Sequence, residues 1–322
     1  MKTPYAQVGR HGRTHPAVAD TGAATSTGTG TATGRRVGPF GPAPLESRIH
    51  WLLRVAIAAE FIGHGAFGIM GKEAWLGYYA VMGIPPSAAW VMMPITGSVD
   101  IALGLLVLLR PTRAPLAYMA FWGLFTALLR PLSGESWWEV FERSYNFGVP
   151  LALLLFHGVA TSRSEWLARI RGLPRLTRRR AKRFTWGFRL IIASFLIGHG
   201  GYGAFVEKRN LTEQYESIGL TSVTQAVGWF EIGLGALVLV TMPGIGLLLF
   251  VCVWKIATEM LYVTSGAYGA PFEVIERASC YAAPLALICF IKVLARETPP
   301  TPTPTPTSER GPRGESSAET VP

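Results

Sequence analysis

Glu60 and His64 stand four residues apart, a spacing that puts both on one face of a helix. A carboxylate so placed can orient an imidazole or exchange a proton with it, which makes the two a candidate catalytic couple. Gly63, Gly65 and Gly68 surround them and remove side-chain bulk, so a neighbouring helix or a planar ligand can come close. The competing reading leaves the glycines to helix packing and His64 to an interhelical hydrogen bond. His199 lies in a similar Gly-rich run, but Phe195 stands where Glu60 does. The first run therefore has a carboxylate one turn from its histidine and the second does not.

Asp100 and Glu231 fall in the middle of apolar runs, where an ionisable group costs roughly 2.5–3.5 kcal/mol to insert and normally faces a partner, a cavity or a functional path. Lys255 and Glu259 are one turn apart, so Lys255 pairing with Glu231 or Glu259 is the favoured reading. Gly123 and Ala127 hold the corresponding places earlier in the chain. Asp100 lacks that cation and is either protonated or linked to Glu60, His64 or a serine. Arg143 and Arg277 each open an apolar run and could polarise a carbonyl or hold an anion. The candidate ligand-binding set is thus His64, His199, Arg143, Arg277, Asp100 and Glu231. One histidine per half is weak support for a haem held between His64 and His199. No metal-ligand spacing, hydrolase triad or phosphate loop is present, so no metal site is expected.

These groups are carried by apolar elements. Of 322 residues 49% are hydrophobic, gathered into long runs that give a mean hydropathy of +0.30. Lys and Arg number 30 against 20 Asp and Glu, a net charge of +10 that in a soluble chain would suggest nucleic acid. The apolar runs argue instead for a polytopic membrane protein with no nucleic-acid partner. Cys252, Cys280 and Cys289 lie in or beside those runs and read as packing residues, not a disulfide framework. Runs of about 20 residues suffice to cross roughly 30 Å of hydrocarbon; they are placed at 51–70, 88–109, 114–131, 145–160, 186–205, 225–241, 244–263 and 278–294. Eight spans result, with seven as the rival count because the fourth is short. Residues 1–47, rich in Thr, Gly and Ala, and 296–322, rich in Thr and Pro, read as disordered tails.

Loop charge orients the chain. Between 163 and 183 nine basic residues face one acid, Glu165, while the alternate loops are dominated by glutamates. Basic loops stay cytoplasmic, so the expected location is the cell membrane, multi-pass, with both termini cytoplasmic. The basic loop 161–184 should also attract anionic inner-leaflet lipid.

The chain matches itself. Residues 61–68 (FIGHGAFG) align with 196–203 (LIGHGGYG), and Arg54 and Arg189 lie equally far upstream. Asp100 to Gly104 aligns with Glu231 to Gly235, Trp122 and Thr126 with Trp254 and Thr258, and Glu142, Arg143 and Pro150 with Glu276, Arg277 and Pro284. Four ordered correspondences imply two tandem units, 48–160 and 185–295, joined by the linker 161–184. Four spans in each would relate them by an axis along the membrane normal.

The first helix of each unit, with Gly-His-Gly, a further Gly and then Lys72 or Lys208 just outside, resembles the opening of a DoxX-family unit, a small four-helix membrane protein. The chain is similar to a tandem duplication of that unit. The resemblance implies a link, in some members, to quinone-dependent or thiol-related redox chemistry. The fold expected is all-α and integral to the membrane, eight transmembrane helices as two tandem four-helix bundles. The role expected is a component of a membrane redox system, with a redox partner protein and a quinone or another small apolar molecule as candidate ligand near His64, His199, Arg143 and Arg277. A small-solute or proton transporter or channel, using Asp100, Glu231 and Lys255, is the alternative. A membrane scaffold without chemistry is the third.

Overall fold

The computed structural model describes residues 44–296; the expected tails lie outside it except at their inner edges. Within that range the protein is helical: α1 (Leu45–Met70), α2 (Leu76–Val81), α3 (Pro86–Leu109), α4 (Arg113–Leu132), α5 (Trp138–Glu142), α6 (Ser144–His157), α7 (Arg163–Leu167), α8 (Arg178–Gly201), α9 (Arg209–Glu216), α10 (Thr224–Val240), α11 (Ile245–Glu259), α12 (Leu261–Thr264), α13 (Ala270–Glu276) and α14 (Ala278–Arg296). No strand forms among the described residues. Five stretches are long and apolar enough to cross a membrane: Leu45–Met70, Pro86–Leu109, Arg178–Val206, Ile245–Thr264 and Ala270–Arg296. Helices occupy all eight expected runs, but α4, α6 and α10 are not among the five, α6 having 14 residues and α10 17.

Three boundaries move. α1 starts at Leu45, inside the stretch expected to be a tail, because Leu45 and Ile49 bury themselves in the core. The expected linker 161–184 holds α7 and the first turns of α8, whose start is capped by the Thr177 hydroxyl accepting from the Arg180 N–H, the usual service of a threonine at that position. The fourth expected run ends early: α6 stops at His157, where Gly158 takes a positive φ of 82°.

α1, α6, α8 and α14 form the centre, sharing a core that includes Leu53, Ile57, Phe156, Phe188 and Phe290. α3 packs on α1 and α10 on α8, while α4 packs on α6 and α11 on α14. Outward faces of the flanking helices are apolar, as at Val91, Ile95, Phe121 and Val253, each at least 60% exposed. Charged residues are inside: Glu60, Asp100, Glu231 and Lys255 are each at most 2% exposed. Such an inverted arrangement suits a lipid surround, where outward apolar side chains need no cover.

The same contacts recur in the two halves. Arg54 donates Nε to Val107 O at 2.8 Å and Arg189 donates Nε to Val238 O at 3.0 Å, each taking up the end of the neighbouring helix. More telling is an exchange. α5, from the first half, packs on α8 of the second, and α13, from the second, packs on α1 of the first. The close approach falls on the histidine motif, since a Cβ on Gly63 would lie 2.5 Å from the Glu276 backbone nitrogen and one on Gly198 would collide with that of Glu142. Lys72 Nζ then reaches Glu273 Oε1 at 2.7 Å and Lys208 Nζ reaches Glu139 Oε1 at 2.6 Å. One residue more separates His199 from Lys208 than His64 from Lys72, and a π-helical turn at Tyr202–Val206 absorbs it, as such turns do.

Candidate functional site

Each motif histidine is met by an acid from the adjoining helix. α1 and α3 approach at Gly65 and Gly97, which sets His64 Nδ1 2.8 Å from Asp100 Oδ2. α8 and α10 do the same, and His199 Nδ1 bonds Glu231 Oε2. Two expectations are corrected here. Glu60 makes no hydrogen bond to His64: it faces the Ser279 hydroxyl of α14 instead. A shared helix face does not decide which neighbour wins, and the glycine contact brings Asp100 to the imidazole. Nor is His199 deprived of a carboxylate by Phe195, because Glu231 supplies one from α10.

The halves part at the second carboxylate oxygen. Glu231 Oε1 accepts from Trp254 Nε1 at 2.9 Å and lies 3.7 Å from Lys255 Nζ. Lys255 pairs with Glu259 at 2.9 Å, Glu259 Oε2 with Arg277 Nε at 2.7 Å, and Arg277 Nη1 with Glu273 Oε2 at 2.6 Å. Tyr262 also accepts from Arg277 at 2.8 Å. The cluster runs from α8 to α13 with each charge facing an opposite one, the arrangement buried charge requires. His199, Glu231 and Arg277 are thereby occupied with one another.

In the first half, Gly123 and Ala127 replace Lys255 and Glu259, and Asp100 is one methylene shorter than Glu231. Asp100 Oδ1 and Trp122 Nε1 are consequently buried without partners, as are Asn146 Oδ1 and Glu60 Oε2. Unpaired buried polar atoms are rare and costly, about 1–3 kcal/mol each. Trp122 and Asn146 line a cavity of about 160 Å³ together with His64, Trp75, Tyr78, Tyr79, Met92, Thr126, Arg130 and Arg143. The His64 ring stacks on Trp75, centroids 4.6 Å apart. A second space of about 10 Å³ is bounded by Glu60, His64, Trp122, Thr126 and Asn146.

The expected ligand set therefore divides. His64 and Arg143 line one cavity with Asp100 behind the imidazole, whereas His199, Arg277 and Glu231 do not line it. Sequence reasoning missed Trp75, Tyr78, Tyr79 and Asn146. An Asn among apolar residues just after Arg143 was an available signal; the aromatic residues near α2 were not distinguishable from an interfacial belt.

At the mouth, Arg130 Nη1 donates to Tyr78 OH at 2.8 Å, and Arg143 bridges Glu139 at 2.9 Å and Glu276 at 3.2 Å. Glu139, in the loop helix α5, is fully buried. Burial alone would raise its pKa, but Arg130, Arg143 and Lys208 outweigh it and hold the carboxyl well below the usual range. Among the described residues no three His, Cys, Asp or Glu side chains converge as a metal site, and the three cysteines are free. No protein-family model, curated protein or solved structure matches the chain.

Proposed function

We propose that the protein is a multi-pass cell-membrane protein of eight spans, built as two duplicated DoxX-like four-helix units, and that it serves a membrane redox system by binding a small, largely apolar molecule of the quinone class in the cavity of its first half. One observation carries the reading: a space walled by aromatic and apolar side chains is lined by Trp122 and Asn146, each with a buried polar atom that has no partner among the described residues, and by His64, which Asp100 holds from behind. A flat ring fits against Trp75 and His64, and its polar substituents take the unmet hydrogen bonds. His64, held by Asp100, is the proton-handling group.

Glu60 joins the same site by a different route from direct pairing. A space of about 10 Å³ between it and His64 is about the size that accepts one water, and a water needs two to four polar partners. Glu60, Asn146 and Trp122 provide them. A carboxyl, a water and an imidazole in series move a proton between ligand and protein.

The transporter reading needs polar groups open at successive depths, and it is weakened by the charges of the second half, which face each other. Both termini are assigned to the cytoplasm from loop charge. There the linker 161–184 meets anionic lipid, and a redox partner protein docks on either exposed side.

The test is to extract lipid-soluble compounds from purified full-length protein, record its absorbance, and titrate a short-chain quinone analogue against tryptophan fluorescence. Saturable quenching that His64→Ala removes supports the reading. No extracted compound and no quenching would return the protein to a scaffold. Reporter fusions after Gly134 and Val321 should report opposite compartments, and the same compartment would sink the eight-span topology.

A further inference from the structure

We propose that the seam between α6 and α8 is a binding site for one anionic phospholipid of the basic-side leaflet. The two helices leave a groove of about 460 Å³ lined by Leu151, Leu155, Phe184, Phe188, Arg180 and Arg183. It continues into a hollow of about 400 Å³ through the shared walls of Phe147 and Ile191. α6 has 14 residues where α14, at the matching place, has 19. α6 ends beside Arg180 in the first turn of α8, and the groove runs between the two helices from there. Gly187 deepens the groove, since a Cβ on it would meet nothing within 4 Å.

The ends of the groove differ in charge, and that selects the occupant. Arg180 is anchored by donating Nη2 to the carbonyls of Leu155 at 3.2 Å and Phe156 at 2.9 Å, the terminal acceptors of α6. Among the described residues its other guanidinium nitrogens make no hydrogen bond. Arg183 is exposed and, among the described residues, makes no hydrogen bond or ion pair. Two guanidinium groups with free donors suit a phosphodiester, which they bind by charge-assisted hydrogen bonds. From Arg180 to Ile191 the helix rises roughly 16 Å at 1.5 Å per residue, about half of a hydrocarbon core of roughly 30 Å. An acyl chain of one leaflet fills that length while its phosphate meets the arginines. The groove shares no residue with the His64 cavity, so the two sites stand or fall separately, although both rest on the chain lying in a bilayer.

The experiment is native mass spectrometry of the full-length protein from nanodiscs of phosphatidylglycerol with phosphatidylcholine, and of phosphatidylcholine alone. One phosphatidylglycerol per chain should survive delipidation, with inorganic phosphate failing to displace it. Gly187→Leu, which fills the groove, and Arg183→Gln, at an exposed site, should each lower retention at least about tenfold, the scale of one charge-assisted contact. Gly187→Ala and the linker change Arg171→Gln should leave it intact. Equal retention of phosphatidylcholine, or retention unaffected by Arg183→Gln, overturns the proposal. So does a dimer that Gly187→Leu dissociates, because the groove would then belong to a second copy. Loss of retention in Arg171→Gln equal to that in Arg183→Gln overturns it too, leaving diffuse attraction to the basic linker. Failure of the reporter-fusion topology would sink the eight-span count while leaving the bilayer premise, and is read independently of lipid counts.

Discussion

Trp254 donates its indole N–H to Glu231 at 2.9 Å, and Trp122, at the matching place in the first half, has no acceptor although Asp100 Oδ1 is likewise unpaired. A single methylene separates the two situations. Glu231 is long enough to serve His199 and an indole together, while Asp100 is spent on His64. The first site thereby keeps hydrogen-bonding capacity that the second has used internally.

Asp100→Glu should close the first site in the manner of the second. The longer carboxylate reaches Trp122, relieving atoms whose isolation costs about 1–3 kcal/mol each. Thermal stability should rise while affinity for a quinone analogue falls at least about tenfold, or about 1.4 kcal/mol. Unchanged affinity with raised stability would show that the unpaired atoms do not serve the ligand.

His64→Ala and His199→Ala should have unlike consequences. His64 faces the cavity, so its loss should abolish ligand binding with a small change in melting temperature. His199 is enclosed with Glu231 and the Lys255 cluster, so its loss should mainly destabilise, and Glu60→Gln should weaken a proton-coupled step and alter its pH profile. Equal loss of ligand in both histidine variants would favour one site shared between the halves.

Lys255→Met should destabilise strongly, by about 3–5 kcal/mol, since it leaves Glu231 and Glu259 buried with one cation fewer. Adding Glu259→Gln should recover part of that loss in a double-mutant cycle. Additive losses read from denaturant or thermal unfolding would deny the pairing.

Glu139 contributes to the acid side of the stability profile. Its folded pKa is lowered, so its contribution is fully present above the unfolded value of about 4.3 and is lost as pH falls through that range toward the folded one. Melting temperature against pH should decline there, and Glu139→Gln should flatten the decline while lowering stability at neutral pH. An acid limb unchanged by the substitution would assign it to other carboxylates.

Gly198→Ala should loosen the docking of α5 on α8, because the added methyl meets the Phe141 and Glu142 backbone, with overpacking of this kind costing about 1–3 kcal/mol. Gly233→Ala is the control, with nothing within 4 Å of the new carbon, and should be neutral or stabilising by up to about 1 kcal/mol. Equal melting temperatures for the two would contradict the tight contact.

Much of this was readable from residue types. Apolar runs located the helices because burial or lipid contact is a property of composition, and Lys255 with Glu231 and Glu259 was readable as a cluster because unpaired charges are not tolerated inside. The His64 and Asp100 contact was not, since it depends on the crossing of α1 and α3 at Gly65 and Gly97, and no spacing along the chain encodes a crossing. Glu60 was misjudged for the same reason. Gly63 and Gly198 announced a close neighbour without saying that it comes from the other half. The short span at 145–160 was noticed, but its ending at His157 depends on the turn at Gly158.

The exchange of α5 and α13 also sets when the first half can be completed during synthesis. Lys72 leaves the ribosome early, yet its partner Glu273 follows 201 residues later, about 10–40 s at common synthesis rates of roughly 5–20 residues per second. Through that interval α3 can already cover Gly65 and Gly68, but the Gly63 side of α1 lacks the α13 backbone that covers it in the folded protein. The nascent first half must therefore wait in the membrane, shielded by the insertion machinery or by lipid, until the second half emerges to complete it.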